Sequence, residues 1–166
     1  MKPLKRPVRR ALLVVHVAVS VSWLGLTLGL LTLGITAYDT GDSTLTEASY
    51  RAMRVFAEWL LAPVALITLG SGLVLSLGTP WGLARHRWVW VKFWLTLATA
   101  AATIFSLRPE IEHAADNGGV PDISLVVAPS VATSAYLFMT VVSVLKPWGL
   151  TRRGRRLRTR ARNIPA

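Results

Sequence analysis

Four long apolar blocks run through this chain and leave it few ways to fold. They cover approximately residues 11–38, 53–77, 88–107 and 125–145, each near the ~20 residues a helix needs to cross a hydrocarbon core. Lipid offers backbone groups no hydrogen bonds, and an α-helix satisfies its own. The expected fold class is therefore all-α, a four-helix transmembrane bundle. Composition agrees, because 52% of the 166 residues are hydrophobic and 16% are charged, against roughly 25% charged in an ordinary soluble domain. A net charge of +11 on such a chain does not indicate a soluble nucleic-acid binder. Cysteine is absent, which excludes disulfides, thiolate metal sites, cysteine nucleophiles and thioether-linked haem.

The first block carries no Asp, Glu, Lys or Arg. It is longer than the ~7 to 15 residues of a signal-peptide core, although Ile35-Thr36-Ala37 has the small-residue form of a cleavage site. Cleavage there, leaving three helices, is the alternative topology. The second helix is expected to begin before its apolar block, since Thr44-Leu45-Thr46-Glu47 has capping-box spacing, and Pro63 is expected to kink it. The third is expected to stop at Arg108-Pro109 and the fourth at Lys146-Pro147, because proline cannot continue a helix's hydrogen bonds.

Charge orients the bundle, as short cytoplasmic segments collect Lys and Arg. Residues 1–10 and 146–166 form basic tails, and Arg85 and Arg87 mark the middle loop. The other two loops hold Asp39, Asp42, Glu47, Glu110, Glu112, Asp116 and Asp122 against Arg51, Arg54 and Arg108. Both termini are thus expected in the cytoplasm. Trp81, Trp88, Trp90, Trp94 and Trp148 gather near the same boundary, where an amphipathic indole is stable. Pro80-Trp81-Gly82-Leu83 recurs as Pro147-Trp148-Gly149-Leu150; duplication of a helical hairpin and a shared way of leaving the membrane both account for it.

Beyond Arg54 at the edge of the second block, three ionisable side chains, His16, Glu58 and Lys92, lie inside the blocks, and in a membrane each needs a partner or a purpose. Arg54, four residues before Glu58, can neutralise it. Lys92 can either snorkel to the headgroups or face a site. His16 lies about five residues, or ~7 Å, inside its helix. Depth counted from the basic helix ends puts His16, Lys92 and Met139 at nearly one level, facing Gly70-Ser71-Gly72. Such a set suits a slot for a flat ligand, a haem, porphyrin or quinone, with His16 the metal ligand if the ligand is haem. A packing account also stands: Ser22, Gly25, Gly29 and the run Ala98 to Thr103 let helices approach, and His16, Ser20, Trp23 and Thr27 share a polar face able to hydrogen-bond a structural histidine.

His16 with Trp23, the stretch Ser76-Leu77-Gly78-Thr79-Pro80-Trp81-Gly82-Leu83 and the run His86-Arg87-Trp88-Val89-Trp90-Val91-Lys92 resemble a family of small bacterial four-helix integral membrane proteins of unknown function. The similarity covers approximately Leu12 to Thr103. More distantly, the His-Trp pair and the tryptophan-rich approach to a lysine look like the small membrane protoporphyrinogen oxidase family, whose resemblance implies a haem or porphyrin site near His16 and Lys92. The chain departs from that family in lacking a His-rich end to the third helix and in carrying a long arginine tail. A multi-pass protein of the bacterial cytoplasmic membrane is what the resemblance implies.

There is no glycine-rich phosphate loop, no HExxH and no Ser/His/Asp arrangement, and His86 and His113 sit in opposite loops. The functional expectation is a polytopic membrane protein of unassigned activity with cofactor-binding residues His16, Lys92, Met139 and Trp23; the rival is a non-catalytic scaffold or assembly partner, with a homo-oligomer compatible with either. From Arg152 to Arg162 seven of eleven residues are arginine. This tail is expected to lie on anionic headgroups, at roughly 1 kcal/mol per basic residue before screening. Without an interleaved aromatic to stack on bases, it is not expected to bind nucleic acid. Topology reporters fused to either terminus should read cytoplasmic, and those in the loops near residues 41 and 118 external. A C-terminus found outside overturns the assignment.

Overall fold

The computed structural model describes residues 4–78, 86–117, 119–145, 149, 151 and 155. Four helices, each long and apolar enough to cross a membrane, make the protein: α1 (Arg6–Asp39), α2 (Ser43–Gly78), α3 (Arg87–Asp116) and α4 (Ser124–Leu145). They run up and down in turn. The pairs α1–α2, α2–α3, α3–α4 and α4–α1 form the four sides of the bundle. Backbone hydrogen bonds from Leu4 N–H to the Gly78 carbonyl (3.1 Å) and from Arg87 N–H to the Gly149 carbonyl (3.4 Å) bring the chain's beginning, the α2–α3 connection and the exit of α4 to one end. This is the basic end; the acidic loops occupy the other. Apart from Gly149 and Arg155, the Pro-Trp-Gly-Leu repeat and the arginine tail fall outside the described residues.

Apolar side chains face outward as well as inward. Val14, Val21, Trp59, Phe105 and Val131 are all more than half exposed, as suits a surface solvated by hydrocarbon. Two buried clusters fill the interior. One, at the acidic end, joins Leu30, Ala37, Tyr50, Met53, Leu61, Leu107, Ile111 and Leu125. The other, nearer the basic end, joins Trp23, Ala65, Ala100, Tyr136 and Met139.

Several boundaries differ from the sequence-based expectation. α1 starts at Arg6, inside the basic tail, because Pro7 falls in its first turn, where a missing N–H costs nothing. α2 starts early as expected, but its cap is Asp42, whose carboxylate accepts from Thr44 N–H at 2.8 Å. Glu47 pairs with Arg51 at 2.6 Å instead of closing a capping box. α3 does not stop at Arg108-Pro109 but continues to Asp116. A π-helical turn over Thr103–Leu107 precedes that proline, and another over Ala57–Leu61 precedes Pro63. A proline ring collides with the carbonyl four residues back, which is Trp59 in one case and Phe105 in the other. Each of those residues lies inside its widened turn, which absorbs the clash and lets the helix run on.

Pro129 sits inside α4 without such a turn. It offers no N–H to the Leu125 carbonyl, and that oxygen lies against the α-carbon of Gly34 on α1, where any Cβ would strike it. Gly34→Ala should therefore force α1 and α4 apart. A loss of about 1–3 kcal/mol, the usual cost of overpacking, is expected in thermal unfolding of the detergent-solubilised protein, with Gly25→Ala, which meets nothing within 4 Å, as the neutral control.

Candidate functional site

A cavity of about 660 Å³ opens among the four helices at the basic end, lined by one face of each: Arg9, Leu13, His16 and Val17 of α1, Thr68, Gly72, Leu73 and Ser76 among others of α2, Trp88, Val89, Lys92, Phe93 and Thr96 of α3, and Ser143 of α4. Helical spacing explains the lining. Arg9, Leu13 and His16 stand at i, i+4 and i+7 and share one face of α1. By sequence Arg9 belongs to the basic tail, and this spacing is the signal that ties it to His16.

His16 takes its partner from the neighbouring helix. Its Nδ1 lies 2.9 Å from Ser71 Oγ, and the Ser71 hydroxyl donates to the Thr68 carbonyl at 3.2 Å. With the Ser71 proton on the Thr68 carbonyl, the hydroxyl oxygen is open to accept from Nδ1, and in that tautomer the ring's lone pair stands on Nε2. The polar face of α1 itself does not hold the ring: Thr27 donates to the Trp23 carbonyl of its own helix. Gly72 explains the close fit, since a Cβ there would lie 3.0 Å from His16 Cε1.

Lys92 donates to Ser143 on the neighbouring α4, so its ammonium is held at the α3–α4 side of the cavity. Met139 lies one layer behind the cavity wall, buried, its sulfur accepting from Thr96 Oγ1 at 3.2 Å. Trp23 is deeper still. It packs on Tyr136 with ring centroids 4.6 Å apart and does not line the cavity. The structure thus brings His16 and Lys92 to one cavity, sets Met139 behind Thr96 and puts Trp23 in the core. Glu58 is away from all of them, paired with Arg54 at 2.9 Å, and Arg54 also reaches Asp116 on α3 at 2.8 Å.

Below the cavity the interior stays polar. Trp23 Nε1, Thr68 Oγ1, Thr133 Oγ1 and Tyr136 Oη are buried without a hydrogen-bond partner among the described residues. Thr27, Thr99 and Thr103 hydroxyls stand near that of Tyr136, but none is in bonding geometry with it. Each unmade bond costs about 1–3 kcal/mol. Thr68 belongs both to this group and to the cavity wall, and so provides a polar contact at the cavity's inner end. Among the described residues no three His, Asp or Glu side chains are grouped as a metal site.

Ser71→Ala should release the imidazole. Imidazole ¹⁵N shifts are expected to report a proton held at Nδ1 in the wild type and a mixture of tautomers in the variant, with about 1 kcal/mol lost in stability; an unchanged spectrum would remove Ser71 as the orienting group. No protein-family model, curated protein or solved structure matches this chain, so its own geometry carries the functional argument.

Proposed function

We propose that this chain is a multi-pass protein of the bacterial cytoplasmic membrane, both termini cytoplasmic, whose cavity binds a flat hydrophobic cofactor: a haem or porphyrin first, a quinone second. One observation carries this reading. An imidazole whose Nδ1 lies 2.9 Å from Ser71 Oγ lines a cavity whose size is in the range of ~300–1,000 Å³ common to small-molecule sites. A hydrogen bond of this kind to the ring's other nitrogen is how proteins orient a metal-binding histidine. His16 would hold haem iron, Leu13, Val17 and Phe93 would face the macrocycle, and Met139 lies within a layer of the site. Iron would supply electron transfer or small-ligand chemistry, while the chain supplies a fixed tautomer and an apolar wall. The arginine tail is assigned to anionic headgroups.

The scaffold or assembly reading also has an observation in its favour. Gly25 and Gly29 of α1 have nothing within 4 Å of where a Cβ would stand, which leaves a small-residue face open to a second helix or a second copy of the chain.

The absorption spectrum separates the two. The purified protein supplied with haem is expected to show a Soret band that is lost in His16→Ala and kept in His113→Ala. Ser71→Ala should weaken haem binding roughly tenfold or more. A protein that stays colourless after haem is supplied removes haem from the reading.

A further inference from the structure

The cavity's charge is not balanced from within the chain. Arg9 and Lys92 both line it. Lys92 has a neutral partner in Ser143, and Arg9 makes no ion pair among the described residues; the ion pairs there, Arg51–Glu47, Arg54–Glu58, Arg54–Asp116 and Arg108–Glu112, all lie towards the acidic end. The sequence closes the remaining route. All eight acidic residues, Asp39, Asp42, Glu47, Glu58, Glu110, Glu112, Asp116 and Asp122, are spent on that half of the bundle, and residues 79–85 and 146–166 contain none. No acidic side chain of this protein is at hand to neutralise the pair. Lys92 is half-buried, while Arg9 is exposed where the cavity opens; a half-buried ammonium beside apolar walls is costly without a counter-ion. The first turn of α3, which contributes Trp88 and Val89 to the lining, adds the positive end of a helix dipole.

We propose that the cavity is a site for the oxyanion of an amphiphile, a phosphate or carboxylate met by Arg9 and Lys92, with the apolar body lying against Leu13, Val17, Leu73 and Phe93. This rests on the reading of the cavity as a ligand site and adds the charge its ligand must carry. Guanidinium and ammonium together suit an oxyanion, the first by directional paired donors and the second as a point charge. A neutral quinone leaves both cations uncompensated.

Native mass spectrometry of the full chain in neutral detergent tests this with phosphatidylglycerol and phosphatidylcholine of identical acyl chains. The wild type is expected to retain the anionic lipid preferentially. Other basic residues also attract anionic lipid, so the informative quantity is the change on substitution. Arg9→Gln and Lys92→Gln should each weaken retention about fivefold, Lys92→Arg should keep most of it, and Arg6→Gln, outside the lining, should weaken it clearly less than either; an equal loss in Arg6→Gln overturns the cavity as the anion's place. Protoporphyrin displacing the lipid from wild type, and less readily from Arg9→Gln, identifies a carboxylate source for the same site. Inorganic phosphate alone displacing it at millimolar concentration overturns the amphiphilic part. Equal retention of both lipids, with Arg9→Gln and Lys92→Gln both like wild type, overturns the anion site but keeps a ligand cavity. Retention of neither lipid nor porphyrin by protein that still elutes as a folded species overturns the cavity reading itself.

Discussion

Inside a hydrocarbon layer a backbone carbonyl deprived of its partner has no water to turn to, and this chain places a proline beyond the first turn of three of its four helices. Two of them, Pro63 and Pro109, are each preceded by a π-helical turn ending two residues earlier. The widened turn keeps α2 and α3 continuous, long enough to carry their polar ends beyond the apolar span. The third, Pro129, is answered from another helix, by the bare α-carbon of Gly34 against the Leu125 carbonyl. A Cα–H···O contact is weak, but the close approach it permits brings α1 and α4 together. Tyr136 and Trp23 meet along that same interface, and the cavity opens at its basic end.

Charge is separated along the bundle as sharply as polarity is across it. At the acidic end carboxylates and arginines pair on helix surfaces, and Arg54 ties α2 to α3 through Asp116. These pairs are exposed and each contributes little to stability. That end is held instead by buried contacts: Tyr50 is fully buried and its hydroxyl accepts from Asp122 N–H at 2.8 Å, while Thr46 donates to the Ala37 carbonyl at 2.9 Å. The basic end has no comparable set of acids. Its polar groups meet hydroxyls, His16 with Ser71 and Lys92 with Ser143, and such neutral partners leave charge and lone pairs available for a ligand.

Much of this was legible in the residues themselves. Four apolar blocks of membrane-spanning length specify four helices because lipid leaves the backbone little alternative, and the i, i+4 spacing of Arg54 and Glu58 specifies their pairing because a helix sets that distance. Counting depth from the basic ends puts His16, Lys92 and Met139 at nearly one level with Gly70-Ser71-Gly72, since antiparallel helices share a rise of 1.5 Å per residue; of these His16, Lys92 and Gly72 line the cavity. Where α3 ends was not legible. A proline after Arg108 signals a stop in isolation, and the π-turn that carries the helix past it depends on packing against its neighbours.

What the sequence determined on its own was helix number, the polarity of the two ends and the depth of each ionisable group, all of which follow from distance along a single helix axis. Rotation about that axis was decided only by the tertiary structure. Side-chain direction around a helix is set by which neighbour it packs against, and this is why the partner of His16 proved to be Ser71 on α2 and not Thr27 on its own helix. The same rotation turned Arg9 into the cavity, moved Met139 behind Thr96 and buried Trp23 on Tyr136. Residues on different helices can share a level without sharing a face, and only the packed bundle distinguishes the two.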